Sequence, residues 1–283
     1  MHVRQQLHVL AERFAASGVQ EASLKAELLV SHVLGCRRLE LHVRGAEDLA
    51  EPRLRSLTSL AARVCRGEPV QYVLGETDFM GHAFKVDPRA LIPRPETEVL
   101  VERVLARSEL WNLERPAVAD AGTGSGCIVV SLALARTRGV FLATDISEEA
   151  LVLARENARA LGVGDRIRFV KADGLGDAAH GALDAVVANP PYVDSRSWAD
   201  LPREIRDFEP RAALDGGEDG LRVISRLVPQ AFGALKSGGS LFLEIGEDQA
   251  VRVQELMKTA GFGENRVRKD LAGRDRIAWG RKP

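Results

Sequence analysis

The sequence predicts an α/β protein, with a small all-helical region followed by a domain built on a mostly parallel sheet. Three observations lead there. Apolar residues recur at helical spacing through roughly the first 66 positions; strands and helices alternate from residue 117 onward; and a glycine-rich turn joins the first of those strands to an apolar helix. The chain has 283 residues, 45% hydrophobic and 28% charged, which is ordinary globular composition and excludes disorder and collagen-like structure.

Lys and Arg total 39 against 40 Asp and Glu, a net charge of -1. No global field would hold such a chain on a polyanion or an anionic membrane, so any nucleic-acid contact would have to be local. Cys36, Cys65 and Cys127 are odd in number and widely spaced, which fits neither a disulfide framework nor a zinc site and points to a reducing compartment. No apolar run approaches the ~20 residues a membrane span needs. A soluble, cytoplasmic chain of two domains is expected.

The first region, 1–75, reads as several short helices. Leu7, Leu10, Ala11 and Phe14 share one face, and Leu24, Leu28, Val30 and Leu34 another; Ser23 can cap a helix, Gly35 can end it, and Pro52 marks another start. Ten basic residues stand against eight acidic ones here, too small an excess for a nucleic-acid grip. Between Pro69 and Pro95, Tyr72, Val73, Phe79, Phe84 and Val86 alternate with Gly75, Gly81 and Pro88, so a β-hairpin linker is placed over 76–95. The second domain, 96–283, opens with a helix from Thr97 to about Arg107. Strands follow at Ala117–Ala121, Val140–Ile146, Ile167–Ala172, Leu183–Ala188, Ser240–Ile245 and Ile277–Gly280. Helices are expected at Cys127–Arg138, Glu148–Leu161, Leu221–Leu235 and Ala250–Ala260. That order argues for a parallel sheet with helices on both faces.

The first strand runs into Gly122-Thr123-Gly124-Ser125-Gly126. Ligands bind beyond the carboxyl ends of strands in such sheets, and glycines let backbone approach them closely. The spacing is G-x-G-x-G; Cys127 stands where a dinucleotide fingerprint would continue. Asp145 ends the second strand, where it can accept from both ribose hydroxyls or cap the next helix. Asp173, after the third strand, can receive an adenine amino group or start a turn with Gly174. Together they point to a bound adenosine moiety, NAD not excluded.

Asn189-Pro190-Pro191-Tyr192 follows the apolar strand Leu183–Ala188 directly. The prolines stop the strand and remove two donors, so the Asn189 side-chain oxygen and the Pro190 carbonyl can both act as acceptors. Two acceptors and the flat ring of Tyr192 suit a planar –NH₂ group, with its nitrogen aimed at an electrophile.

The glycine turn with Asn189–Tyr192 resembles the S-adenosylmethionine-dependent methyltransferases that modify amide or exocyclic amino nitrogens, whose domain is Rossmann-like. Within them, Gly67-Glu68-Pro69-Val70-Gln71-Tyr72, Leu91-Ile92-Pro93-Arg94-Pro95-Glu96-Thr97-Glu98 and Phe208-Glu209-Pro210 resemble the HemK/PrmC family. The resemblance runs from about Arg66 to the end, and the helical region fits in size and type. It implies that the cofactor is S-adenosylmethionine and that the acceptor is the glutamine of the Gly-Gly-Gln motif in class 1 peptide chain release factors. It further implies that Gly122, Thr123, Gly124, Ser125, Gly126, Asp145, Asp173, Gly174 and Asn189 hold the cofactor, and that Asn189, Pro190, Pro191 and Tyr192 hold the glutamine. Asn189, Pro190 and Tyr192 would carry the catalysis. Several relatives have an aromatic residue right after the third acid; Gly174 stands there in this chain, leaving Leu175 to supply an apolar contact. Arg94 and Glu96 either order the cofactor pocket or form a salt-bridged linker. The helical region is expected to recognise a protein substrate, with no direct nucleic-acid partner, no membrane and a monomeric chain.

The closest rival is an amino methyltransferase acting on adenine or guanine in nucleic acid, which would swing the base out of its stack. Near-zero charge and the absence of a basic stripe disfavour it. An NAD-dependent oxidoreductase is disfavoured by the glycine spacing, and a non-enzymatic adaptor by the presence of the whole site.

Overall fold

The computed structural model describes residues 2–176 and 180–283. In chain order its elements are α1 (Val3–Ala16), α2 (Ala22–Leu34), α3 (Glu51–Cys65), α4 (Val70–Leu74), β1 (Glu76–Phe79), β2 (His82–Lys85), α5 (Pro95–Leu105), α6 (Ser108–Trp111), β3 (Ala117–Ala121), α7 (Cys127–Ala135), β4 (Val140–Asp145), α8 (Glu148–Ala160), β5 (Ile167–Lys171), β6 (Leu183–Ala188), α9 (Arg203–Phe208), α10 (Arg222–Ala234), β7 (Leu235–Glu244), α11 (Ala250–Ala260), β8 (Glu264–Lys269) and β9 (Asp275–Arg281). They fall into two compact units, one of Met1–Glu76 with Pro202–Phe208, the other of Thr77–Leu201 with Glu209–Pro283.

Of the residues the periodicity marks, Leu10, Phe14, Val30 and Leu34 are buried in one core together with Leu29, Leu57 and Val64, while Leu7, Ala11, Leu24 and Leu28 are partly buried. Gly35 ends α2 in the left-handed conformation, φ 64°. Ser23 lies inside α2 rather than capping it, because the helix begins one residue earlier after Glu21, itself left-handed at φ 52°. Tyr72 and Val73, read as part of the hairpin, belong to α4. Pro69 presets that short helix, and Gly75, at φ 80°, stops it before β1. Lys25, 6% exposed, donates to Glu204 Oε2 at 2.6 Å, so α9 completes this unit with a charge pair.

In the second unit the hairpin is confined to β1 and β2. Met80 and Gly81 both take positive φ (53° and 76°), the pair of left-handed residues that a two-residue hairpin turn requires. The seven-stranded sheet has the order β5-β4-β3-β6-β7-β9-β8. The first five strands are parallel, whereas β9 runs antiparallel to β7 and to β8. Alternation along the strands divides the core between two faces. Val118, Ala185, Val187 and Phe242 pack with α5 and α7, while Ala119, Val186, Leu241 and Leu243 pack with α10 and α11. The structure departs from the sequence reading where β7 starts at Leu235 rather than Ser240 and α7 ends at Ala135 rather than Arg138, and α6, α9 and β8 had no counterpart. β8 is an edge strand whose Glu-Asn-Arg-Val-Arg-Lys sequence exposes charge on both sides, so it carries none of the apolar alternation that marks inner strands.

Candidate active site

The turn after β3 is built from positive-φ glycines: Gly122, Gly124 and Gly126 sit at 74°, 56° and 82°. At Gly126 a Cβ would also come within 3.2 Å of the Ala154 backbone on α8, so the turn packs on the helix where only glycine fits. Backbone fastens the rest. Gly122 N and Thr123 N both donate to Thr144 O at 2.8 Å, and Asp145 accepts from Gly124 N and from Ser147 N at 2.9 Å each. Asp145 thus caps the turn to α8 while its carboxylate lines the cleft, and burial pushes its pKa up. Asn157 on α8, absent from the sequence reading, accepts from Lys85 N and donates to Lys85 O and Ser125 O, tying the hairpin to the glycine turn.

Beneath the turn, Asp120 is 1% exposed. Its Oδ2 accepts from Thr123 Oγ1 at 2.7 Å and Val129 N at 3.3 Å, and Oδ1 has no partner among the described residues. Burial pushes its pKa up to about 7, aided by the charge of Asp145. Asp173 lines the cleft but pairs with Arg226 at 2.7 Å, both half-exposed. At Gly174, left-handed at φ 67°, a Cβ would stand 2.1 Å from Gln230 Oε1 and would displace that side chain from Leu175 N, from which it accepts. Leu175 turns into the core rather than the cleft; Leu227 lines the wall instead.

At the end of β6, Asn189, Pro190 and Pro191 line the same cleft of about 390 Å³ as Gly122, Thr123, Gly124, Ser125 and Asp145. Gly126 and Tyr192 lie outside its wall. Tyr192 is turned back, its hydroxyl donating to Glu244 Oε1 at 3.2 Å, and burial raises the phenol pKa further. Asn189 Nδ2 donates to Thr97 Oγ1 at 3.0 Å, and Thr97 Oγ1 donates to Glu244 Oε2 at 2.7 Å. Thr97 is buried near the start of α5, and Glu244, 1% exposed, closes β7. Behind the segment, buried Gln249 donates to Tyr192 O (3.0 Å) and Gly220 O (3.2 Å), and a Cβ at Gly220 would lie 2.4 Å from Tyr192 O. Sequence reasoning quoted Thr97 within the Leu91–Glu98 segment without giving it a site role, and it missed Glu244 and Gln249. The glycine-rich run Asp215–Gly220 was the one signal of close backbone packing there.

Glu209 explains why the Leu91–Glu98 and Phe208–Pro210 segments occur together. Its buried carboxylate accepts from Ile92 N at 3.1 Å and pairs with Arg94, which fixes the cleft wall that Ile92, Pro93 and Arg94 provide. A second groove, at the amino ends of the strands, is lined by Arg107, Arg266, Arg268 and Trp279 and contains none of the motif residues.

A glycine turn and an acid on adjacent strands, facing an Asn-Pro-Pro loop across one cleft of a mostly parallel sheet, are the parts of a methyltransferase. Accordingly, residues 95–203 match the Methyltransferase small domain and residues 5–75 the PrmC N-terminal domain. A methyltransferase structure from Pyrococcus furiosus shares the fold, with a TM-score of 0.52, 18% identity, and coverage of 80% of this chain and 100% of that one. The release factor glutamine methyltransferase of Moorella thermoacetica is 44% identical over 98% of this chain and 97% of its own. That of Chlorobaculum tepidum is 41% identical over 93% and 91%. The chain belongs to the release factor glutamine methyltransferase family.

Proposed function

We propose that this chain transfers a methyl group from S-adenosylmethionine to the side-chain amide nitrogen of the glutamine in the Gly-Gly-Gln motif of class 1 release factors. The observation that carries the reading is the Asn189 carboxamide. Its NH₂ is engaged by Thr97, so its Oδ1 remains the acceptor on a residue that lines the cleft. With the Pro190 carbonyl it offers one acceptor to each N–H of a primary amide, holding the nitrogen in place and favouring its pyramidal, more nucleophilic form.

The cofactor fits the opposite half. Gly122 and Gly124 keep side chains off the floor, the carboxylate of Asp145 faces the cleft for ribose hydroxyls, and Ile92, Ile128 and Leu227 supply apolar wall. S-adenosylmethionine, when bound, supplies a methyl group on a positively charged sulfur. Asp173 and Gly174 would bound the adenine end. Tyr192, whose ring does not line the cleft, would act by fixing the loop. The helical unit would supply the surface that docks the release factor, since a flexible Gly-Gly-Gln loop offers few contacts of its own. A monomeric chain working in the cytoplasm, without nucleic acid, accords with this reading, and among the described residues no helix is long and apolar enough to cross a membrane.

The test is mass spectrometry of a release factor incubated with the protein and S-adenosylmethionine. A gain of one methylene confined to the Gly-Gly-Gln peptide is expected. Methylation of nucleic acid in the parallel reaction, with the release factor unchanged, would overturn the reading.

A further inference from the structure

The carboxylate that closes β7 reaches no ligand-facing surface, yet it organises the residue that does. We propose that Glu244, acting through Thr97, is a positioning residue that locks the Asn189 carboxamide with Oδ1 toward the methyl acceptor. The inference rests on the reading above and deepens it, because the locked amide selects an acceptor that presents N–H donors.

Proton counting makes the argument. An ionised carboxylate only accepts, and a threonine hydroxyl has one hydrogen. Glu244 Oε2 takes that hydrogen at 2.7 Å, so Thr97 Oγ1 must accept from the group 3.0 Å away, and in Asn189 only Nδ2 can donate. The flip of the amide is thereby fixed from behind. The other oxygen of Glu244 accepts from Tyr192, so one carboxylate holds both ends of the Asn189–Tyr192 segment.

The reverse arrangement exists in one protonation state. A neutral Glu244 can donate to Thr97, whose hydrogen then points at Asn189; the amide turns over and presents N–H to an acceptor's own N–H. Burial favours the neutral form of Glu244, and Glu96 on α5 adds to that. Arg276 on β9 and the hydroxyls of Thr97 and Tyr192 favour the charged form, and the buried thiol of Cys127 on α7 also feels its charge. Replacing this carboxylate by an apolar side chain would leave the hydroxyls of Thr97 and Tyr192 without their acceptor, so Glu244 serves both the packing and the orientation of the segment.

The experiment uses the full chain with Glu244→Gln, Thr97→Val and Thr97→Ser, each checked for folding by thermal unfolding. Thr97→Val, nearly isosteric, keeps the test open if the glutamine variant fails to fold. Thr97→Val should lower kcat about ten- to a hundredfold, with KM for S-adenosylmethionine within about threefold of wild type; Thr97→Ser should recover most of the rate, and Glu244→Gln, whose amide oxygen can still accept from Thr97, should lose less than Thr97→Val. The wild-type kcat should fall on the acid side through a single ionisation that Glu244→Gln lacks. Independently of any acceptor, the Asn189 side-chain NH₂ should exchange slowly with solvent by NMR in the wild type and rapidly in Thr97→Val. Unchanged kcat and unchanged exchange in Thr97→Val, or an equal loss in Thr97→Ser, would overturn the lock. Slow exchange that responds as stated, in an enzyme that leaves release factors unmethylated, would retain the lock and reject the acceptor.

Discussion

Asp120 near the end of β3 and Glu244 at the end of β7 are carboxylates of equal burial, each 1% exposed, one beneath the glycine turn and the other behind the Asn189–Tyr192 segment. Their surroundings differ. Among the described residues, Asp120 has one oxygen satisfied by Thr123 and Val129 and the other without a partner, with no cation to offset it. Both oxygens of Glu244 are partnered, and Arg276 lies near. Asp120 therefore costs stability whenever it ionises, whereas Glu244 converts its charge into a fixed donor-acceptor direction. A related contrast surrounds them. Backbone bonds, the Asp145 carboxylate and Asn157 from α8 hold the glycine turn, while side chains from more distant elements hold Asn189 and Tyr192.

The largest effect expected from this contrast is in stability. The folded-state pKa of Asp120, about 7, lies above its ordinary 3.8. The stabilisation of the protonated form is complete below about pH 4 and is lost as pH rises through about 7, by up to roughly 4 kcal/mol. Urea unfolding across that range should show the decline, and Asp120→Asn should flatten it; an unchanged slope would remove Asp120 from the comparison. Glu244, also raised, contributes with the same sign, but its titration alone should appear in kcat.

Next in size is Asn189→Ala, expected to lower kcat on the order of a hundredfold or more, with cofactor affinity within a few-fold. Asn189→Asp should fail too, since it adds a charge facing the cofactor. Normal turnover by either folded variant would make the residue structural. Asp145→Ala should do the opposite, weakening S-adenosylmethionine binding roughly tenfold or more in calorimetry while the saturated rate changes little, because a ribose contact is the same in ground and transition states. The smallest effect belongs to the exposed Asp173–Arg226 pair: Arg226→Ala should change stability by less than about 0.5 kcal/mol. If Asp173→Ala weakens cofactor binding and Arg226→Ala does not, the acid serves adenine rather than the ion pair.

Local signals made much of this molecule legible. Five of the parallel-sheet strands were visible as apolar runs, and Gly122–Gly126, Asp145 and Asn189–Tyr192 stand at strand ends because each run stops at glycine, acid or proline. Where local pattern was weak the reading erred: α4 is five residues long, and β8 has almost no apolar periodicity.

The sequence by itself determined the layer order, the positions of the turns and the chemistry available at the carboxyl edge, since period, φ preference and proton inventory belong to single residues and their neighbours. Only the tertiary structure decided which groups meet. Thr97 stands 92 residues from Asn189 and 147 from Glu244, and Gln249 reaches back 57 residues to Tyr192. Their hydrogen bonds exist because β6 and β7 lie side by side with α5 packed against them, which no local pattern encodes. Tyr192 is the clearest case. Its ring could have faced the cleft or the core; it packs on the core side, where its hydroxyl donates to buried Glu244.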